Sequence, residues 1–448
     1  MTNLYELSIG QTLSGFSSGQ FSPSDIVAAC IARYELLEDR CLAWEIFDAD
    51  ALKQQALITE RRLADGEVLR ALEGIPLGIK DIFNTVDFPT QMGSPLWKGF
   101  TPGNDARIVF NARQLGALIP GKTTTAEFAV HALSKTLNPY SPFHTPGTSS
   151  SGSAVAVASG MVPVSLGTQT AGSITRPASF CGVYGMKPSF GLLPRTGMLK
   201  TADTLDTIGF FTAHQADLRH VFDGLRVRGG NYPIVQAKVD TYSPKPEGTP
   251  WRVAFIKTHT WDGAADYVQQ DIRDWVSKLG REKHIEVLEV DEPALLKNAH
   301  SLHSVAYDKA LAYYFKEEFK RRELVSPIMN ETVARGNKVS QDEYLEALDA
   351  QAQMANAMDI LLASFDAFIS IGTASAAPLR EQVEDPDPSL IWTLTYLPTI
   401  TVPLFKSPEG LPFGLQIGAR RYNDYRLLDF TDELTERGLM PQRCAIAD

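Results

Sequence analysis

Cysteine is scarce in this 448-residue chain: Cys30, Cys41, Cys181 and Cys444 are its only four, and no two form a CxxC pair. So thin a set excludes a disulfide framework and leaves buried free thiols as the expectation. The eight histidines form no HExxH or other close ligand set, so no metal and no other cofactor is expected. No apolar run approaches the roughly 20 residues that a membrane span requires. The first residues, MTNLYELSIGQTLSG, lack a basic segment followed by an apolar core and a small-residue cleavage site, so the cytoplasm is the expected location. Positive charge is also short. With 42 Lys and Arg against 53 Asp and Glu the net charge is -11, which argues against a nucleic-acid backbone as partner. The dense basic cluster, Lys316 to Arg322 (KEEFKRR), is interleaved with acids and reads as a solvated helix face. The expected partner is a small molecule, with neither nucleic acid nor membrane, and the expected state is monomer or homodimer.

What the chain does hold is a globular composition, 44% apolar, with 33 glycines and 27 prolines and no low-complexity tract or internal repeat. Ser22-Pro23 followed by Ile26, Val27, Cys30, Ile31 and Tyr34 supplies an N-cap, a proline at the first helical position and a 3.6-period stripe. Ala51 to Leu63 continues in helical composition. Gly74 to Lys80 (GIPLGIK) switches to period two, with Ile75, Leu77 and Ile79 on one face and Lys80 on the other near the strand's end. Asp105 to Leu115 reads as a helix and Ala117 to Pro120 as a short strand. Ala154 to Met161 reads as an apolar helix and Val162 to Leu166 as a strand. Such alternation predicts an α/β fold with a large mixed, mostly parallel β-sheet covered by helices on both faces. Gly229 to Pro250, rich in proline, glycine and charge, reads as a connector. Beyond it a strand is expected at Trp251 to Ile256, helices at Ser301 to Leu324 and Ser340 to Ser364, strands at Ala367 to Ile371 and Thr399 to Leu404, and a last helix from Asp424. Ser340-Gln341-Asp342-Glu343 is a capping box.

The informative stretch is Gly147 to Ser173, GTSSSGSAVAVASGMVPVSLGTQTAGS, two serine-bearing glycine turns joined by a small-residue helix and a strand. Glycine turns let backbone amides approach a ligand, and a hydroxyl placed there can attack it. Taken with Gly74-Ile75-Pro76, Lys80-Asp81, Asp105-Ala106, Gly121-Lys122-Thr123, Glu127-Phe128-Ala129, Asn138-Pro139, Phe180-Cys181-Gly182, Lys187-Pro188, Pro403 and Leu411 to Gln416, it resembles the amidase signature family of serine hydrolases over most of the chain. The resemblance implies one amidase-type α/β/α domain over 1–448. Within it, 1–65 is an N-terminal helical segment, 66–225 the catalytic core, 226–365 a connector and helical insertion, and 366–448 a return to the core.

The resemblance also implies a Ser-cisSer-Lys triad. Its positions fall on Ser173 as nucleophile, Ser149 as bridging serine and Lys80 as base, with a cis peptide between Thr148 and Ser149. Ser150 and Ser151 are adjacent competitors for the bridging role, and one of them is expected to cap the helix that follows. Lysine titrates near about 10.4 in water, so burial or neighbouring cations must make Lys80 neutral for it to act as a base; Lys122 and Lys187 are weaker candidates. The backbone N–H groups of Thr170, Ala171, Gly172 and Ser173 would form the oxyanion hole. Substrate walls are expected from Met92, Phe128 and Trp392, with Phe83, Ile371 and the rest of Trp392 to Leu397 as further candidates. Where the family carries acid-x-Gly-Gly-Ser-Ile-Arg, this chain has Gln169 to Thr175 (QTAGSIT), a swap that removes acid and arginine together and leaves Arg176 free for another use. The function implied is hydrolysis of small or aryl amides, extending to esters and carbamates. The alternatives are the glutaminase subunit of a tRNA-dependent amidotransferase, against which the altered run counts, and a non-catalytic binding protein retaining the fold.

Overall fold

A computed structural model describes residues 3–228, 239–382 and 384–447; part of the expected connector, 229–238, lies outside them. Among the described residues eleven strands form one sheet in the order β1-β3-β2-β4-β6-β5-β10-β11-β9-β7-β8, flanked by helices. They are β1 (Trp44–Phe47), β2 (Leu77–Lys80), β3 (Gly121–Thr123), β4 (Val164–Gln169), β5 (Tyr184–Lys187), β6 (Thr207–Thr212), β7 (Trp251–Lys257), β8 (Ile285–Asp291), β9 (Ala367–Ile371), β10 (Thr399–Lys406) and β11 (Pro412–Gly418).

The mixed sheet matches expectation, but the balance of directions does not. Six of the ten strand pairings are antiparallel and four parallel. Local βα alternation governs β2, β3 and β4 and again β7, β8 and β9, where the parallel pairs lie. Between those two groups, β6, β5, β10 and β11 fill the centre of the sheet in antiparallel register. Only β10 and β11 form a local hairpin; the β4–β6, β6–β5 and β5–β10 pairings join strands more distant in sequence, so no local pattern reveals their direction.

Local signals place most helices well. The helix Pro23–Cys41 is capped by Ser22, and Gln341–Leu361 by Ser340, each through a full capping box. The helix Ile9–Ser18 goes unread in the sequence, although Ser8 and Gln11 form the same box there. The strand expected over Ala117 to Pro120 forms instead at Gly121–Thr123, where β1 comes so close that a Cβ on Gly121 would stand 2.0 Å from the Ile46 carbonyl oxygen. Two short helices carry the informative stretch: α1 (Ser151–Ala158), between the first serine turn and β4, and α2 (Thr175–Cys181), just after the second. Every residue of both is buried: α1 is a run of small residues, whereas α2 carries Thr175, Arg176 and Ser179, which need hydrogen-bond partners inside the molecule. No helix among the described residues is long and apolar enough to cross a membrane.

Candidate active site

β2 lies between β3 and β4, so its last residue, Lys80, ends inside the molecule with no exposed surface. Its Nζ lies 2.8 Å from Ser149 Oγ, 2.9 Å from Ser150 Oγ and 2.9 Å from Thr168 Oγ1. All three neighbours are hydroxyls. Burial pushes the Lys80 amine well below the usual lysine range, and the more distant Asp206 carboxylate opposes that shift. The neutral form so favoured has a lone pair to receive a proton.

The two adjacent serines are not equivalent around that amine. Ser150 donates its hydroxyl proton to Thr168 O at 3.2 Å and accepts from Thr168 N at 3.3 Å. Ser149 has no acceptor for its proton among the described residues other than Lys80, which leaves it free to pass one on. The peptide between Thr148 and Ser149 is cis. Neither competing serine caps α1 with its side chain, contrary to expectation: Ser150 is the N-cap residue without a side-chain cap bond, and Ser151 pairs with Ser134 at 2.8 Å. Lys80 binds the hydroxyl that would otherwise be available for capping.

Beyond Thr168, β4 runs into the second turn. Gln169 Oε1 accepts from Ile174 N at 2.8 Å, Thr175 N at 2.9 Å and Thr175 Oγ1 at 3.1 Å. The neutral pair Gln169 and Thr175 thus closes the start of α2, and the double replacement leaves no buried charge stranded there. The turn's own polar groups are held from behind: His303 Nε2 donates to Thr170 O at 2.9 Å, Thr393 Oγ1 to Ala171 O at 2.6 Å, and Thr170 Oγ1 to Asp206 at 2.7 Å. Burial pushes the His303 imidazole down to about 4, so it is neutral at pH 7. Among the described residues the N–H groups of Ala171, Gly172 and Ser173 donate to no protein acceptor. Ser173, only 5% exposed, likewise has no hydrogen-bond partner for its hydroxyl among them. Anchored carbonyls with free amides are what stabilisation of a developing oxyanion requires.

A cavity of about 490 Å³ opens beside both turns, with Thr148 and Ala171 in its wall together with His131, Arg176, His303 and Tyr307. The residues expected as substrate walls do not line this cavity. Met92, Phe128 and Trp392 belong to one buried apolar cluster, Phe128 against Phe315 and Trp392 against Phe368, and none of them borders this cavity. Phe83 and Ile371 are likewise wholly buried core residues. Aromatics in the sequence mark the core first; the cavity is lined instead by a mixture of polar and charged side chains with Leu133, Ile328, Leu379 and Leu390, drawn from distant segments. Thr168, Asp206, His303, Thr393 and Asp387 carry no local motif, so sequence reasoning passes over them. Among the described residues no three His, Cys, Asp or Glu side chains are grouped so as to hold a metal ion.

The amidase family model matches residues 25–428. A glutamyl-tRNA(Gln) amidotransferase subunit from Heliobacterium modesticaldum is 30% identical over 91% of this chain and 92% of its own length. The crystal structure of an amidase superposes with a TM-score of 0.85 at 26% identity, covering 96% of this chain and all of that one. The native peptide amidase of Stenotrophomonas maltophilia superposes at 0.84 with 24% identity, covering 98% of each chain. The chain belongs to the amidase signature family, as the motif order implies.

Proposed function

We propose that this member of the family cleaves the C–N bond of an amide through an acyl-enzyme on Ser173, with Ser149 as proton relay and Lys80 as base. The observation that carries this is the buried Lys80 amine, ringed by hydroxyls and 2.8 Å from a Ser149 hydroxyl whose proton has no other acceptor among the described residues. Neutral Lys80 takes a proton from Ser149 as Ser149 takes one from Ser173. Ser173 Oγ bonds to the substrate carbonyl carbon, and the carbonyl oxygen becomes an oxyanion facing the free amides of Ala171, Gly172 and Ser173. Collapse of that adduct breaks the C–N bond, and the amine leaves with the proton returned along the relay. Water then attacks the ester by the same route and frees Ser173.

Two substrate readings share this chemistry. One is a stand-alone hydrolase of small or aryl amides that also accepts esters and carbamates. The other, favoured by the 30% identical amidotransferase relative, is the glutaminase subunit of a tRNA-dependent amidotransferase, working with partner subunits. The altered Gln169 to Thr175 run does not count against the second, because Gln169 and Thr175 bond to each other and close the start of the helix. Ammonia release from glutamine, measured with and without such partner subunits, beside a panel of p-nitroanilides, esters and carbamates, separates the readings. The glutaminase reading predicts glutamine turnover that rises with the partners present; the stand-alone reading predicts turnover of the panel by the chain alone. A fluorophosphonate adduct located by mass spectrometry on Ser149 or Ser150 instead of Ser173 would overturn the mechanism.

A further inference from the structure

Arg176 follows Ser173 by three residues in the first turn of α2 and is only 5% exposed, yet it borders the cavity beside the two turns. It stands one position beyond the arginine of the family run, and one residue along a helix turns a side chain by about 100°. Position 175 faces Gln169, as the Thr175 hydroxyl bond shows. Position 176 faces the first serine turn: Arg176 donates to Thr148 O from Nη2 at 3.0 Å and Nε at 3.3 Å, and to Thr148 Oγ1 at 3.3 Å. Thr148 O belongs to the peptide unit that carries Ser149, so these bonds set the plane from which the Ser149 side chain departs.

The same guanidinium reaches two further elements. Nη1 pairs with Glu384 at 2.8 Å and Asp387 at 3.3 Å, while Nη2 meets His131 Nδ1 at 3.4 Å. Burial and the neighbouring Arg176 push the His131 imidazole down to about 3, so it is neutral and can accept that bond. Asp387 lies directly on the second turn, where a Cβ added to Gly172 would stand 1.8 Å from Asp387 Oδ2. One buried cation thereby spans the Ser149 turn, the 384–387 loop and, through Asp387, the Gly172 turn. An arginine suits this task because its rigid planar fork presents five donors at fixed angles and so holds a carbonyl on one edge and carboxylates on the other, where an ammonium is a compact point charge with three rotatable donors.

We propose that Arg176 is a positioning residue that fixes the Ser149 turn and the Gly172 turn relative to each other; the inference rests on the reading of Ser173 as nucleophile. The test compares Arg176→Ala and Arg176→Lys with the parent and with Ser173→Ala. It reads kcat and KM on the best substrate of the panel, the rate of fluorophosphonate labelling at Ser173, and recovery of both on adding methylguanidinium. The expected result for Arg176→Ala is a fall of roughly 10²-fold in kcat with a parallel fall in labelling, because misplacing reacting groups by about 1 Å costs that much. Methylguanidinium, entering the cavity, should restore part of both rates, and Arg176→Lys should lie between parent and Arg176→Ala. Unchanged kcat and labelling in either variant would overturn the proposal. So would losses that track only the loss of folded protein and resist methylguanidinium. If Arg176→Ala does not fold, Arg176→Lys decides by the same kcat and labelling readouts. Full turnover in Ser173→Ala would instead remove the reading on which the proposal rests.

Discussion

Lys80 and Lys122 stand on adjacent parallel strands, one register step apart, and neither has any exposed surface. Around Lys80 the close partners are three hydroxyls. Around Lys122 they are the Asp81 carboxylate at 3.1 Å, the carbonyls of Phe83 at 2.9 Å and Pro89 at 3.1 Å, and Thr90 Oγ1 at 2.9 Å. Burial pulls both amines down; the adjacent Asp81 charge opposes the shift at Lys122, while only the more distant Asp206 opposes it at Lys80. Burial pushes the Asp81 carboxyl up to about 6, against the pull of the Lys122 amine. Lys187 is a third case: burial takes it down to about 7, yet it donates to the carbonyls of Pro188 and Leu397, which accept hydrogen bonds and have no proton to give. Equal burial therefore does not make equal lysines. Hydroxyls can both accept and donate, so they suit a relay, whereas carboxylates and carbonyls hold a cation in place.

The contrast can be broken by substitution. The largest expected effect is at the nucleophile: Ser173→Ala should cut kcat by up to about 10⁶-fold, as loss of a nucleophilic serine does elsewhere. Lys80→Met should cost about 10²- to 10⁴-fold, the range for a general base. Both are read from steady-state turnover, and a Lys80→Met enzyme at parental kcat would erase the distinction between the lysines. Next, Ser149→Ala should fall within the same general-base range of about 10²- to 10⁴-fold, while Ser150→Ala should retain most turnover because its proton is committed to Thr168 O. Equal losses would show that the two serines share the relay.

Lys122→Met should act on stability instead. Removing one partner of a buried ion pair costs about 3 to 5 kcal/mol, measurable by denaturant titration, while the folded fraction should keep its turnover per site. The smallest effect concerns pH. Lys80 must be neutral to act, so kcat/KM should rise as pH rises through its lowered pKa. Asp206 favours the charged amine, so Asp206→Asn should move that acid limb to lower pH. An unmoved or raised limb in a pH–rate profile would show that Asp206 does not act on the base.

Local rules explain which parts of this molecule are legible. Capping boxes at Ser22 and Ser340, the period-two run ending at Lys80 and the apolar helix between the serine turns depend on residues within a few positions of one another. The antiparallel centre of the sheet is not legible beyond the β10–β11 hairpin, because β4 with β6, β6 with β5 and β5 with β10 pair across longer separations. The wall candidates Met92, Phe128 and Trp392 sit in a buried apolar cluster for a related reason, since hydrophobicity predicts burial without saying whether a cavity lies alongside.

The order of motifs, by itself, determined the family and named Lys80, Ser149 and Ser173 as the residues to watch. Chain order lists side chains but not their neighbours in space. Only the tertiary structure decided that Lys80 meets hydroxyls where Lys122 meets a carboxylate, that the Ser150 proton is committed and the Ser149 proton is not, and that Arg176 reaches back to the Ser149 turn. A proton's affinity for a site is set by the dielectric and the partners around it, and both are assembled by the folded sheet from segments far apart in the chain.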